Sequence, residues 1–234
     1  MTIGIERKMR LLVLSFVFFC GCFSQEGRNI ILFPRQSATD HVILKPIVEK
    51  QWEQLTVCLR SYTEISRVHS LFSIAMPGTG KDNTFLIYQE PPNYCSIYIN
   101  QEQIRFRVDP EVLDWKHTCV TWDSSTGLVQ LWINGKRYPR RVTTTRSPIG
   151  PQMSIILGQE QDSFGGNFDA EQSFVGEMCD VNMWDYVLPP EKITQYFYFI
   201  LDVIMNINGW INGTYTSEGN ATVLINEFCS FYST

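Results

Sequence analysis

Residues 117–135 read H-T-C-V-T-W-D-S-S-T-G-L-V-Q-L-W-I-N-G, and their pattern is that of paired β-strands. Apolar and polar side chains alternate over 117–122 and again over 128–133, which is typical of strands with one buried face. Asn134-Gly135 follows the second run, and this dipeptide favours a two-residue type I′ hairpin turn. The segment therefore predicts antiparallel strands joined by a tight turn.

The same period of two recurs at residues 55–60 and 104–108. Further short runs cover residues 85–88, 96–99, 154–157 and 181–186, and Gly, Pro and Asn separate the runs. Many short strands without an internal repeat predict an all-β domain, a two-sheet antiparallel sandwich. One helix is predicted after Pro189-Pro190-Glu191. Its apolar stripe, which we interpret as a packing face, consists of Ile193, Tyr196, Phe197 and Ile200.

The first 24 residues have the features of a secretory signal peptide. Arg7, Lys8 and Arg10 precede an apolar run at 11–21 that is too short to span a bilayer. We therefore expect a secreted, extracellular protein with no membrane insertion. The sequons at Asn212 and Asn220 agree with export and predict glycosylation. The formal net charge of −5 disfavours binding to nucleic acid or to an anionic membrane.

The segment 158–175, G-Q-E-Q-D-S-F-G-G-N-F-D-A-E-Q-S-F-V, is unusually rich in oxygen donors. Its carboxylates and side-chain amides repel one another or remain unsatisfied unless a cation lies among them. Hard oxygen donors without His or Cys favour calcium over zinc. The spacing is not that of an EF-hand. On composition alone, a solvated acidic loop is an equally good interpretation.

The run 117–122 resembles the signature H-x-C-x-[ST]-W of the pentraxin family. Segments 159–167 and 181–185 also resemble pentraxin segments, in the family's order. The resemblance is clearest over 29–200, and it decays in a divergent tail at 201–234. Few residues precede the first predicted strands, and in this respect the chain is similar to the short pentraxins. The resemblance implies one pentraxin domain over 25–234.

The resemblance implies a flattened, lectin-like β-jelly roll with one short helix on the face opposite the calcium site. It also implies a disulfide between Cys58 and Cys119 and a cyclic homo-oligomer, usually a pentamer. The implied role is soluble pattern recognition in innate immunity, as for acute-phase proteins. Cys95, Cys179 and Cys229 receive no partner in this way, so at least one of them is expected to be unpaired or bonded between chains.

Two adjacent calcium ions per subunit follow from the same resemblance. The residues that match the family's ligands are Asp82, Asn83, Glu160, the main-chain carbonyl of Gln161, Asp162, Asp169 and Gln172. Asp169 stands where a glutamate is more usual in the family. Its shorter side chain predicts a weaker second calcium site.

Four residues match the positions that flank the family's ligand pocket: Leu86, Tyr88, Tyr98 and Gln103. Some pentraxins have a glutamate at the position of Gln103, where it holds the ammonium of choline. An amide lacks that charge, so we expect phosphoethanolamine, phosphorylated sugars or acidic glycans to be preferred over phosphocholine. Alternatively, Tyr88 and Tyr98 are ordinary strand aromatics.

Two other functions compete with calcium-dependent recognition. A jelly-roll glycosidase would need two carboxylates flanking a bond, one of them protonated. Here Glu160 and Asp162 are better explained as ionised metal ligands, and no nucleophile or zinc-protease motif accompanies the three histidines. We therefore predict that the protein is not an enzyme. The other alternative is a structural or adhesion protein in which calcium only stiffens the acidic loop.

Overall fold

Two antiparallel β-sheets contain nearly all of the regular structure in a computed structural model that describes residues 28–45, 49–110, 112–198 and 215–227. The fifteen strands of these ranges are β1 (Arg28–Phe33), β2 (His41–Leu44), β3 (Gln54–Tyr62), β4 (His69–Ala75), β5 (Phe85–Glu90), β6 (Tyr94–Ile99), β7 (Glu102–Arg107), β8 (Lys116–Asp123), β9 (Leu128–Ile133), β10 (Lys136–Arg137), β11 (Arg141–Val142), β12 (Ser154–Leu157), β13 (Gly176–Trp184), β14 (Tyr215–Glu218) and β15 (Thr222–Glu227). A 3₁₀ helix, Ala170–Gln172, and one α-helix, α1 (Pro190–Tyr198), complete the described elements.

Sheet 1 has eight strands in the order β10-β9-β8-β3-β13-β1-β15, with β11 also paired to β9. Sheet 2 has seven strands in the order β14-β2-β12-β4-β5-β6-β7. Neighbours in each sheet are distant in sequence at several points, as expected when the strands wrap into a jelly roll. The predicted all-β, two-sheet fold with one short helix is confirmed.

The main hydrophobic core lies between the two sheets. Strands of sheet 1 contribute residues such as Val57 and Val120, and strands of sheet 2 contribute residues such as Phe72, Phe85 and Ile97. All five side chains are fully buried. The alternation that predicted the strands therefore arises because every second side chain enters this layer.

The predicted hairpin turn joins β9 to β10. Asn134 and Gly135 both have positive φ angles, 49° and 74°, which a type I′ turn requires. A Cβ atom at Gly135 would lie 2.8 Å from a ring carbon of Phe197, so space as well as backbone conformation favours glycine there.

The disulfide implied by the family resemblance is present between Cys58 and Cys119. The two residues are direct cross-strand partners in β3 and β8, with Cα atoms 4.1 Å apart. The bond closes a loop of 61 residues, which in the chain-entropy model stabilises the fold by roughly 4 kcal/mol. Cys179 also takes part in a disulfide, and its partner is not one of the other described cysteines. Cys95 is a buried thiol, and Cys229 lies outside the described residues.

Helix α1 packs on the outer surface of sheet 1. Ile193 is fully buried and clusters with Trp132, Trp184 and the disulfide. The side chain of Arg60, only 2% exposed, donates hydrogen bonds to the main-chain carbonyl of Phe197 (3.1 Å), close to the end of the helix. The predicted stripe is thus a packing face where the structure describes it, and Ile200 lies outside the described residues.

The C-terminal segment for which a divergent tail is predicted contributes one strand to each sheet over its described residues, 215–227. Strand β14 pairs with β2 in sheet 2, and β15 pairs with β1 in sheet 1. The predicted signal peptide at 1–24 and the sequon at Asn212 lie outside the described residues. Among the residues that are described, no helix is both long enough and apolar enough to span a bilayer.

Two buried histidines make the stability of this fold depend on pH. Burial lowers the pKa of His69 and of His117 from the ordinary value of 6.5 to about 3. The unfolded chain therefore binds more protons than the folded chain between these values, so stability is lost as the pH falls below about 6.5. We expect each histidine to reduce the free energy of unfolding by about 2 kcal/mol at about pH 5 relative to neutral pH.

Denaturant unfolding at neutral and acidic pH tests this expectation. H69Q should show a smaller loss of stability on acidification than the wild type, whatever its absolute stability. H41Q is the control, because the His41 side chain is not fully buried. An equal pH dependence in the wild type and H69Q would contradict the argument.

Candidate metal centre

The acidic loop at 158–175 runs from β12 to β13 and crosses the outer face of sheet 2 above β4. The hydroxyl of Ser70 donates a hydrogen bond to the main-chain carbonyl of Gln159 (2.9 Å). The side-chain amide of Gln161 donates to the carbonyls of Ser73 (3.2 Å) and Ser154 (3.1 Å) and accepts from the Gly165 N–H (2.9 Å). The Gln161 side chain is thus used in fixing the loop, which leaves its main-chain carbonyl as the group it can offer to a cation.

The base of the loop is closed by a contact that only glycine permits. Gly158 has φ +81°, and its carbonyl accepts a hydrogen bond from Phe174 N (2.8 Å). A Cβ atom at Gly158 would lie 2.4 Å from the ring of Phe33 in the core. The two ends of the loop are therefore held together against the sandwich.

A second segment, just before β5, contributes Asp82 and Asn83. The Asn83 side chain hydrogen-bonds the carboxylate of Glu160 and also donates to Asp82 Oδ2 (3.3 Å). Gln101 donates to the other Asp82 oxygen (3.4 Å). The structure thus brings Asp82 and Asn83 beside Glu160, although the two segments are far apart in the sequence.

The far side of the loop forms the 3₁₀ helix. Asp169 caps this helix, and its Oδ1 accepts a hydrogen bond from Glu171 N (2.9 Å). Gln172 N donates to the Asp169 carbonyl (3.0 Å). These local hydrogen bonds therefore fix the backbone of Asp169 and Gln172, the two residues predicted to complete the coordination of the second calcium ion.

Glu160 and Asp162 lie in an unfavourable electrostatic environment. Burial raises the pKa of Glu160, and the charges of Asp162, Asp82 and Asp169 raise it further. Burial and the charges of Asp82 and Asp169 also raise the pKa of Asp162. No three of these four carboxylates bring oxygen atoms within 4.8 Å of one another. Repulsion among these charges adds to the effect of burial on both pKa values, and a cation among them would relieve it.

Among the predicted calcium ligands, two amide oxygens are buried without a hydrogen-bond partner among the described residues: Asn83 Oδ1 and Gln172 Oε1. A buried acceptor without a donor costs about 1–3 kcal/mol. Both oxygens belong to predicted calcium ligands, and an oxygen-seeking cation would satisfy them. The donor set of carboxylate, amide and carbonyl oxygens therefore fits calcium.

Among the described residues, one set of His, Cys and carboxylate groups does bring its ligand atoms within 4.8 Å of one another: Cys58, His117 and Cys119. The two sulfur atoms of this set are bonded to each other, so neither is available as a thiolate ligand. This set is structural.

The predicted pocket residues lie on the outward side of β5, β6 and β7, which we call the ligand face. The strand register aligns them in two rows. The first row is Ser73, Leu86, Tyr98 and Gln103, and the second is Ser70, Tyr88, Ser96 and Arg105. Because Ser70 and Ser73 lie beneath the acidic loop, both rows begin at the candidate metal centre.

Within these rows the four predicted pocket residues differ in exposure. Leu86 is only 1% exposed and lies under the face, whereas Tyr88 and Tyr98 are partly exposed and Gln103 is exposed. Burial raises the pKa of both tyrosines, and the nearby charge of Glu160 raises it further. The tyrosines therefore lie within electrostatic reach of the candidate metal centre and remain neutral hydrogen-bond donors.

The amide of Gln103 has a fixed orientation. Its Nε2 donates to Ser96 Oγ (3.1 Å) and is 3.5 Å from Glu90 Oε1, to which the Ser96 hydroxyl also donates. An ionised carboxylate only accepts hydrogen bonds, so the NH₂ group of the amide must face Glu90. The carbonyl oxygen of Gln103 therefore points away from this cluster as an acceptor.

Comparison with known proteins assigns the family. The Pentaxin family model matches residues 29–224. The chain belongs to the pentraxin family. Jeltraxin from Lepidobatrachus laevis is 60% identical over 222 residues, which cover 94% of this pentraxin and 98% of jeltraxin. C-reactive protein from Xenopus laevis is 52% identical, with 94% of each chain covered.

More distant relatives support the same assignment. Serum amyloid P-component from Mus musculus is 40% identical over 92% of this pentraxin and 96% of the relative. A native heptameric SAP-like pentraxin from Limulus polyphemus superimposes with a TM-score of 0.72 at 23% identity, covering 87% and 97% of the two chains. The latter comparison shows a shared fold.

Several residues that organise the site of this pentraxin are not predicted from its sequence. Ser70 and Ser73 anchor the acidic loop, and Glu90, Ser96 and Arg105 surround Gln103. The alternation at 104–108 did place Arg105 on an outward face. These residues become neighbours only through the register of β4, β5, β6 and β7, and a single sequence does not reveal that register.

The candidate metal centre predicts a specific effect of E160Q. Glu160 is the least exposed carboxylate of the site, and its replacement removes one charge from the ligand set. We expect calcium affinity to fall by about tenfold or more, because ligand charge tunes affinity in oxygen-ligand sites. Isothermal calorimetry with calcium measures the change.

E171Q is the matched control, since it removes the same charge from the same loop. Its side chain is exposed and hydrogen-bonds Gln36 (2.7 Å) rather than the candidate ligands. It should change calcium affinity by less than about twofold. Equal losses in E160Q and E171Q would show that only the overall charge of the loop matters.

Proposed function

We propose that this pentraxin is a secreted recognition protein that binds phosphorylated head groups or acidic glycans through two adjacent calcium ions. The observation that supports the proposal is that Asn83 hydrogen-bonds Glu160 while Asp82, Asp162 and Asp169 lie within its electrostatic reach. In addition, Asn83 and Gln172 each bury an amide oxygen without a hydrogen-bond partner among the described residues. Asp169 and the carbonyl of Gln161 complete the proposed ligand set.

The chemistry of this ligand set supports binding at an open surface. Calcium takes six to eight oxygen ligands and, when bound, offers coordination positions to phosphate or carboxylate oxygens. Asp162 and Asp169 are exposed, so a ligand can approach the centre from solvent. Tyr88 and Tyr98 would then border the chemical group that is attached to the phosphate or carboxylate.

Recognition without catalysis agrees best with the carboxylates of the site. A glycosidase keeps one carboxyl group protonated and leaves the other ionised, on either side of the bond that breaks. Glu160 and Asp162 instead share one set of like-charged neighbours, Asp82 and Asp169. A cation would hold both of them ionised, as metal ligands must be.

We infer a cyclic homo-oligomer, a pentamer by family resemblance, although the compared relative from Limulus polyphemus is heptameric. A ring of subunits would present several ligand faces together, and linked weak sites bind a repetitive surface with high avidity. The named relatives C-reactive protein and serum amyloid P-component support a role in innate immunity.

Export and glycosylation are part of the same proposal. Asn220 is exposed in the turn between β14 and β15. In its favoured amide orientation, its oxygen accepts from Arg35 Nε (3.2 Å), and its nitrogen points away. The nitrogen that would carry a glycan is therefore accessible.

The orientation of Gln103 predicts which head group is preferred. Its outward carbonyl can accept an N–H from the primary ammonium of phosphoethanolamine, whereas the trimethylammonium of phosphocholine has no N–H to donate. Calcium-dependent retention should therefore be stronger on phosphoethanolamine resin than on phosphocholine resin. Q103L should reduce this difference, because leucine offers no acceptor.

Chelator elution is the control in both columns, and it separates site-specific retention from adsorption to the resin. A wild-type protein that prefers phosphocholine would contradict the pocket argument. Absence of calcium-dependent retention on either resin, or on acidic glycans, would contradict the proposed function itself.

A further inference from the structure

We propose that Arg105 forms a second anion-binding point on the ligand face, so that this face selects acidic glycans with two separated anionic groups. The inference rests on the proposed function, in which calcium holds the first anionic group. Arg105 lies on β7, two residues beyond Gln103 and on the same side of the strand.

The guanidinium of Arg105 is held in place from two directions. Its Nη2 is 2.6 Å from Glu90 Oε2, and its Cζ lies 3.9 Å from the centre of the Tyr94 ring. A guanidinium has five N–H donors in a planar fork. Among the contacts of the described residues, Glu90 engages only one of its nitrogens, so the remaining donors are available to a ligand.

Glu90 lies beneath the guanidinium of Arg105 and not between it and solvent. The Glu90 side chain is only 15% exposed, whereas that of Arg105 is 53% exposed. The other oxygen of Glu90 accepts from Ser96 and lies near the Gln103 amide. Glu90 thus acts as a support beneath the arginine, and a ligand in solvent meets the guanidinium. An arginine that is already oriented loses less side-chain entropy when it binds an anion.

The strand register sets the distance between the two anchors. Arg105, Ser96, Tyr88 and Ser70 are direct neighbours across four strands. Adjacent strands are about 4.8 Å apart, so Arg105 lies about 14 Å from Ser70. The hydroxyl of Ser70 hydrogen-bonds the carbonyl of Gln159, next to Glu160. The two anchors are therefore separated by roughly three strand spacings, with Tyr88 between them.

This separation identifies the ligand class. A single phosphorylated head group occupies one anchor, whereas an oligosaccharide with a second phosphate, sulfate or carboxylate farther along can occupy both. Charge-assisted hydrogen bonds from arginine to such a group are among the stronger polar contacts in proteins. Tyr88 and Tyr98 would lie beneath the sugar rings that connect the two anions.

The test compares an oligosaccharide phosphorylated at one end with the same oligosaccharide phosphorylated at both ends. The oligosaccharide is a tetrasaccharide, and binding is measured by calorimetry in saturating calcium and in chelator. A ligand with two phosphates gains up to roughly twofold in affinity for statistical reasons alone. After correction for this gain, we expect the wild type to bind the doubly phosphorylated form about fivefold more tightly.

The variants R105Q and R107Q separate a local anchor from general attraction. Each variant removes one positive charge from β7. Arg107 lies two residues beyond Arg105, on the same outward side of the strand. R105Q should abolish the preference for the doubly phosphorylated form, measured as the ratio of the two affinities within the same variant. R107Q should retain the preference.

The possible failures are distinguishable. Equal binding of both oligosaccharides by the wild type, after the statistical correction, would overturn the second anchor and leave the proposed function standing. An equal effect of R105Q and R107Q would replace the anchor with unspecific charge attraction and would also overturn it. Absence of calcium-dependent binding of the singly phosphorylated form would contradict the proposed function itself.

Discussion

The hydrogen bonds between the acidic loop and β4 determine how this pentraxin can function. Ser70 holds the carbonyl that precedes Glu160, and the buried amide of Gln161 binds Ser73 from above. Without these bonds, like-charged side chains on an irregular loop would separate into solvent. With them, the carboxylates are held at a fixed place on a rigid sheet, which is the condition for a preorganised binding site.

Holding the carboxylates at this place has an energetic cost, and other parts of the fold supply the stability that offsets it. Glu160 is buried beside three other carboxylates, and Asn83 and Gln172 each bury an amide oxygen that has no donor among the described residues. A core that spans two complete sheets and a buried disulfide supply the stability that tolerates this local cost. A concentration of like charges at the predicted ligand positions is a local conflict of the kind expected at a functional site.

The sequence predicts the strands whose two sides differ in polarity, such as β7 and β9, because the period of two is visible there. It does not reveal β4, since all seven of its residues are buried: Phe72 and Ile74 enter the core, and Ser70 and Ser73 lie under the acidic loop. The metal ligands were predicted from the family resemblance, and composition alone left a solvated loop equally possible. The cluster around Gln103 depends on strand register, which a single sequence does not encode locally.

The outer faces of the two sheets differ in a way that supports the proposed recognition site on sheet 2. On sheet 1, helix α1 covers the disulfide and Trp184, and the buried side chain of Arg60 binds main-chain carbonyl oxygen close to the helix end. That face is closed by packing. On sheet 2, the strands beside the acidic loop carry Tyr98, Gln103 and Arg105, whose polar ends project toward solvent and are oriented by neighbours on the same sheet. An antiparallel sheet can leave such a face in water because its backbone groups are already paired between strands. The same sheet can therefore fix the loop, align the side chains and remain open to a ligand.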